Sequence, residues 1–344
     1  MRKLIPLLLL AVLAGCAPAA APGTTAPGPS GEPSPSASGT AAPARIGLSY
    51  IPNIQFAPFY LAEADGLFAS DATWATLRHH GANEGLFTAI AAGQEDFVIA
   101  GGDEALQARE QGVDLVSIAT LYRVNPVEVI VRADGPVREL TDLAGKRIGV
   151  PGRYGTSWFG LLVALRTAGL SETDVEVVEI GYTQQAALTT DKVDAVVGFS
   201  NNDLVQFGLA GVEVRGLPIV TEGAAPLVAA SLLTTREYLN AHPDVARGVA
   251  QAMVAGVAAA AADPARAVEV SAGHVPGLDQ EAARDAARAT LDATLAIMLT
   301  PDGRADGSID TATWQAMGEF MTGAGLLAAA PDVAAAIAPE VLGS

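Results

Sequence analysis

The stretch Gly47-Leu-Ser-Tyr-Ile-Pro-Asn-Ile-Gln-Phe-Ala-Pro-Phe-Tyr60 leaves few folds open. Its first residues alternate like a short buried strand, Pro52 and Asn53 break that strand, and Pro58 stands where a first helical turn tolerates a missing N–H. Strand, turn and helix therefore follow at once. An open α/β sheet holds its ligand beyond the carboxyl ends of its strands, at such turns, where the N–H groups of the helix start are free. Tyr50, Asn53, Gln55 and Phe56 are thus candidate ligand residues.

The same alternation continues along the chain. Apolar patterning predicts strands at 45–49, 74–80 and 97–100, with helices at 56–64, 84–92 and 104–111 between and after them. Branched apolar runs at 114–121 and 127–132 read as further strands, the second carrying the chain out of a first lobe. A second unit begins near Gly135. It repeats the pattern with strands at 147–150, 174–180, 193–199 and 212–217, and helices from Thr156, at 183–190 and at 203–209. Residues 218–226 read as the return crossing and 227–234 as a strand rejoining the first sheet. Alanine-rich helices at 243–262, 264–272, 280–299 and 311–323 complete the first lobe. Arg247 and Gln251 interrupt 243–262, and alanine is barely apolar, so that helix reads as soluble rather than membrane-spanning. The fold expected is α/β, with two lobes, each a mostly parallel sheet flanked by helices. Lobe I takes residues 44–134 and 222–344, lobe II 135–221.

Composition narrows the function. Half of the 344 residues are hydrophobic, enough for a sizeable core, and a net charge of −18 excludes a nucleic-acid surface. The single cysteine, Cys16, rules out an internal disulfide. A basic start, an apolar run from Leu4 to Leu13 and small residues after it make 1–15 a signal peptide. Leu13-Ala14-Gly15-Cys16 resembles a bacterial lipobox, in which the cysteine is lipidated. Residues 17–43 are Ala, Pro, Gly, Ser and Thr apart from Glu32, a composition that cannot bury a core and serves as a tether from 16 to 43.

Three more strand ends carry polar and aromatic side chains. After 147–150 come Tyr154, Thr156, Ser157 and Trp158, the hydroxyls free either to cap the helix or to donate to a ligand. After 97–100 come two glycines, of which Gly102 is a candidate, and Asp103; after 193–199 come Asn201 and Asn202. The carboxylate and amides are either caps or ligand groups. Tyr122 stands near the expected hinge. No P-loop or nucleophile elbow is present at the glycine-rich turn of 151–160, and His79 and His80, being adjacent, face opposite sides of a strand and cannot share a metal. His242 and His274 show no partner, and Asp302–Asp310 reads as a polar turn, since Arg304 stands where a calcium loop needs a ligand.

With Ala62-Glu63-Ala64-Asp65-Gly66-Leu67-Phe68 and Asp142-Leu-Ala-Gly-Lys-Arg-Ile-Gly149, the opening stretch resembles the substrate-binding proteins of ABC importers, in the branch that carries thiamine-pyrimidine precursors and riboflavin and is related to sulfonate and nitrate carriers. The resemblance runs from about Ala44 onward. It implies a type II periplasmic-binding-protein fold, no cofactor, no metal, a monomer, a permease as partner, and a place outside the cytoplasmic membrane. Related enzymes rely on cysteine and histidine in the cleft, so the lone Cys16 argues against catalysis. Aromatics and amides with few fixed cations favour a neutral heterocycle, riboflavin ahead of the thiamine pyrimidine, over sulfonate or nitrate.

Overall fold

In the computed structural model the described residues are 44–68, 75–81, 84–85, 87–219 and 227–343. The leader, Cys16, the tether, Trp74 and most of the expected return crossing lie outside them. The strands are β1 Ala44–Leu48, β2 Ala75–His79, β3 Phe97–Gly101, β4 Leu115–Thr120, β5 Val127–Arg132, β6 Arg147–Val150, β7 Glu176–Glu179, β8 Ala195–Phe199, β9 Val214–Pro218 and β10 Ala230–Thr235.

They build two five-stranded sheets, β2-β1-β3-β10-β4 and β7-β6-β8-β5-β9. In each, three strands pair in parallel and a fourth shares their direction, while the strand contributed from the other half of the chain runs antiparallel between the third and fourth. The two halves follow one plan and exchange one strand each. This is the two-lobed α/β arrangement anticipated from the alternating pattern, with both sheets mixed.

One boundary differs. Val127–Arg132 is central to the second sheet, between β8 and β9, and does not close the first lobe. Val127, Val129 and Val131 enter one core and Ile130 another, so the strand is buried on both faces and belongs inside a sheet. The chain leaves the first sheet at 121–126, earlier than Gly135.

The repetition extends to side chains. Arg45 on β1 gives its backbone N–H and Nε to Asp96 Oδ2, each at 2.9 Å, and Nη2 to Oδ1 at 2.8 Å. Arg147 on β6 does the same to Asp194, at 2.9, 3.1 and 2.7 Å. Each fork locks the start of a lobe's first strand to the residue before its third. The guanidinium holds the Asp194 carboxyl below its usual range. Arg45-Ile-Gly-Leu48 and Arg147-Ile-Gly-Val150 carry this symmetry in the sequence.

Helix Pro243–Ala262 is long and apolar enough to cross a membrane by length and composition. Ala246, Val249, Ala250, Met253, Gly256, Val257 and Ala260 form its buried stripe, at helical spacing, against helix Ala57–Ala64. Val249, Met253 and Val257 each contribute about 1.5–3 kcal/mol by burial. The small residues between them let the two backbones approach. That contact fixes the helix that starts immediately after Gln55 and Phe56.

Candidate functional site

A cavity opens between the sheets, where the carboxyl ends of β1 and β3 face those of β6, β7 and β8. It encloses about 1030 Å³, open solvent at the mouth included, a size that suits a cofactor-like molecule. Tyr50, Gln55 and Phe56 line it from the β1 turn, and Tyr122 from the crossing between sheets. Tyr154, Thr156 and Ser157 line it from the β6 turn, and Asn202 from the β8 turn. The structure brings these eight expected residues together around one cavity.

Aromatic rings meet across the space. Tyr50 lies edge-on to Tyr182, with centroids 4.4 Å apart at 63°, the geometry that aromatic quadrupoles favour. Burial pushes the Tyr50 and Tyr122 hydroxyls up and that of Tyr182 to about 12, so all three remain donors at neutral pH. Tyr122 OH donates to Gln55 Oε1 at 3.1 Å.

The other expected residues lie elsewhere, each for a local reason. Asn53 is the N-cap of Ile54–Phe56, its Oδ1 accepting from Gln55 N at 3.0 Å. Gly102 is wedged on the core side, where a Cβ would overlap Val228. Asp103, 1% exposed, accepts from Glu104 N at 2.9 Å. Trp158 packs on the second core, with the Arg153 guanidinium 4.9 Å from its ring. Asn201 turns away from the cavity, and its Nδ2 donates to Thr294 Oγ1 on helix Glu281–Met298 at 2.9 Å. Neither Thr156 nor Ser157 caps helix Gly155–Thr167; Thr156 Oγ1 donates to Glu104 Oε2 at 2.6 Å instead. Gly155, at φ 73°, makes the turn that an L side chain would strain.

Several lining residues escaped the sequence reading. Glu104, Asp203, Tyr182 and His80 all line the cavity. At the end of β3 the helix begins at once, so the residue after Asp103 is the one that swings into the space. His80 is fixed by Glu95, Nε2 to Oε1 at 2.8 Å, and Glu95 also takes Arg78 Nη1 at 2.6 Å. His79 points the other way, to Tyr60 OH at 3.0 Å and the Tyr50 carbonyl at 2.9 Å. His274 does have partners: it stacks on Tyr60 at 4.1 Å and faces Glu63 at 3.5 Å. Arg123 pairs with Asp306 at 2.8 Å, and Asp310 caps helix Thr311–Gly323.

Asp103 and Glu104 are adjacent buried carboxyls. Burial raises both, Asp103 to about 8, with Glu104 as its like-charged neighbour. Glu104 Oε2 receives two donors, Gly101 N at 2.9 Å and Thr156 Oγ1, whereas Asp103 Oδ2 receives none. Donors favour the ionised form, so Asp103 keeps the proton and Glu104 the charge. The folded state therefore binds a proton that the unfolded chain releases near pH 4. Stability falls as pH rises from about 4 towards 8, by at most about 1.4 kcal/mol per unit. Asp103→Asn is expected to flatten that slope in urea unfolding between pH 5 and 8; an unchanged slope would assign it to another group.

Comparison with known proteins decides the lineage. The model of the NMT1/THI5-like family matches residues 53–267. The chain belongs to the NMT1/THI5-like family. The riboflavin-binding protein RibY of Chloroflexus aurantiacus is 33% identical over 339 residues, 97% of this chain and 95% of that protein. The 4-amino-5-hydroxymethyl-2-methylpyrimidine phosphate synthase of Legionella pneumophila is 24% identical over 46% of this chain and 50% of its own length. Among solved structures, the alkanesulfonate-binding protein SsuA of Xanthomonas axonopodis pv. citri, bound to MOPS, superposes with a TM-score of 0.65 at 22% identity, over 86% of this chain and 98% of that one. This family member thus has the periplasmic-binding-protein fold.

Proposed function

We propose that this family member is the extracytoplasmic solute-binding component of an ABC importer, and that its cargo is a neutral aromatic vitamin or vitamin precursor, riboflavin ahead of the thiamine pyrimidine. The observation that carries the reading is the cavity wall. Tyr50, Phe56, Tyr122, Tyr154, Tyr182 and Phe199 supply aromatic surface, and among the described lining residues there is no Lys or Arg. Nor does a Lys or Arg occur at 82, 83, 86 or 220–226. A sulfonate or nitrate stripped of water needs a fixed cation or several free N–H donors. A stacking ring with donors and acceptors at its edge needs neither. The likeness to a riboflavin-binding protein over nearly the whole chain supports the same cargo.

In this reading the ligand favours closure of the two lobes by binding both walls, and the closed form docks on the permease. The chain acts as a monomer, exported, lipidated at Cys16 and held off the membrane by 16–43. It performs no catalysis.

Equilibrium dialysis of the purified chain against riboflavin, the thiamine pyrimidine and taurine tests the cargo. Saturable binding of riboflavin alone is the expected result. Binding of the pyrimidine alone changes the cargo and keeps the carrier; turnover of the pyrimidine, or binding of taurine alone, overturns the reading.

A further inference from the structure

The turns after β3 and β8 occupy equivalent places, each following the third strand of its own half. At both, a carboxylate folds back on the backbone of its own turn. Glu104 Oε2 accepts from Gly101 N at 2.9 Å, and Asp203 Oδ2 accepts from Phe199 N at 2.7 Å. Both carboxylates line the cavity, one from each sheet. Glu104 also takes the Thr156 hydroxyl, which stands at the start of the facing helix Gly155–Thr167. N–H groups at such strand-to-helix turns are where an α/β sheet ordinarily receives a phosphate, sulfonate or carboxylate group.

We propose that Glu104 and Asp203 are specificity-determining residues: as resident anions they fill the seats an anionic head group would take, and so reserve the cavity for uncharged ligands over sulfonates and phosphomonoesters. The proposal rests on the reading that this cavity is the ligand site and deepens it from a preferred cargo to a mechanism of exclusion. Three features carry it. At each turn the carboxylate already occupies one backbone donor, Gly101 N–H for Glu104 and Phe199 N–H for Asp203. Neither Lys nor Arg stands among the described lining residues to offset two added negative charges. The space beside the Gly101 Cα is filled as well, since a Cβ there would meet Asp103, Glu104 and Thr156. Proton retention by Asp103 leaves the charge of that pair on Glu104, facing the ligand. An anion entering the cavity meets like charge at low dielectric, where repulsion is strong.

The test compares the full chain with Glu104→Gln, Asp203→Asn and the double variant. One arm is equilibrium dialysis against riboflavin and riboflavin 5′-phosphate. The other, independent of the flavin, follows Tm against ethanesulfonate and inorganic phosphate. Wild type is expected to prefer riboflavin over its phosphate by about tenfold or more. The double variant is expected to lose most of that ratio and to gain an anion-dependent rise in Tm that wild type lacks. Equal affinity of wild type for the two flavins, a saturable anion response in wild type, or an unchanged ratio in the variants overturns the proposal. If neither flavin binds, the cargo is wrong and the Tm arm still decides: a response confined to the variants upholds the exclusion, and a response in both or in neither ends it. If the double variant does not fold, the single variants carry both arms.

Discussion

Tyr182→Ala is expected to weaken ligand binding by about 1.5–3 kcal/mol, roughly ten- to a hundredfold, the worth of one large side chain removed from a buried contact. Tyr182 follows β7 and meets Tyr50, which follows β1, so the ring pair brings the two lobes together at the cavity. A flat ligand entering there gains stacking on one ring and edge contact with the other, and loses both when Tyr182 is cut back. Trp158→Ala is the comparison. Its indole packs on the second core rather than lining the cavity, so its loss is expected to change affinity far less. Equilibrium dialysis of the two variants with the same ligand reads the difference directly. A larger loss with Trp158→Ala would put the ligand outside the cavity described here.

Gly256→Ala is expected to destabilise the fold by about 1–3 kcal/mol, the usual cost of forcing an extra methyl into a packed contact. In an exposed helix the same change would stabilise by roughly 1 kcal/mol through propensity. Here the added Cβ would overlap the carbonyl oxygen and carbon of Pro58, which are backbone atoms and cannot swing aside. Helix Ala57–Ala64 must then move away from Pro243–Ala262, and it begins directly after Gln55 and Phe56 of the cavity wall. The variant should therefore lose both midpoint in urea and affinity for the ligand. Gly323→Ala, at the end of helix Thr311–Gly323 with open space around its Cβ position, should lose neither. A Gly256→Ala protein as stable as wild type would show that the helices separate at no cost.

The sequence was most informative where one residue acts through its own backbone or its immediate neighbours. Alternation of apolar runs located every strand among the described residues, because a strand or helix face is written at a fixed spacing. Pro58 marked a helix start, because a first helical turn tolerates a missing N–H. Val127–Arg132 was recognised as a strand and assigned to the wrong sheet, since its partners β8 and β9 come much later in the chain. A signal for that assignment existed in the matching Arg-Ile-Gly runs at 45 and 147, which announce two copies of one plan.

At the cavity the division is finer. That residues at the strand ends would line the cavity was legible in the chain alone, along with their aromatic and amide character. Which member of each cluster faces the cavity was decided only by the tertiary structure. Asp103 and Glu104 are adjacent, as are Asn201, Asn202 and Asp203, and adjacent residues at the start of a helix point in directions about 100° apart. Small differences in where the helix begins therefore exchange a wall residue for a core residue. Glu104 is turned to the cavity by the Gly101 N–H and by Thr156, fifty-two positions away; Asn201 is turned from it by Thr294, ninety-three positions away. Local pattern is fixed by covalent spacing, whereas the choice between neighbours depends on partners that only folding brings within reach.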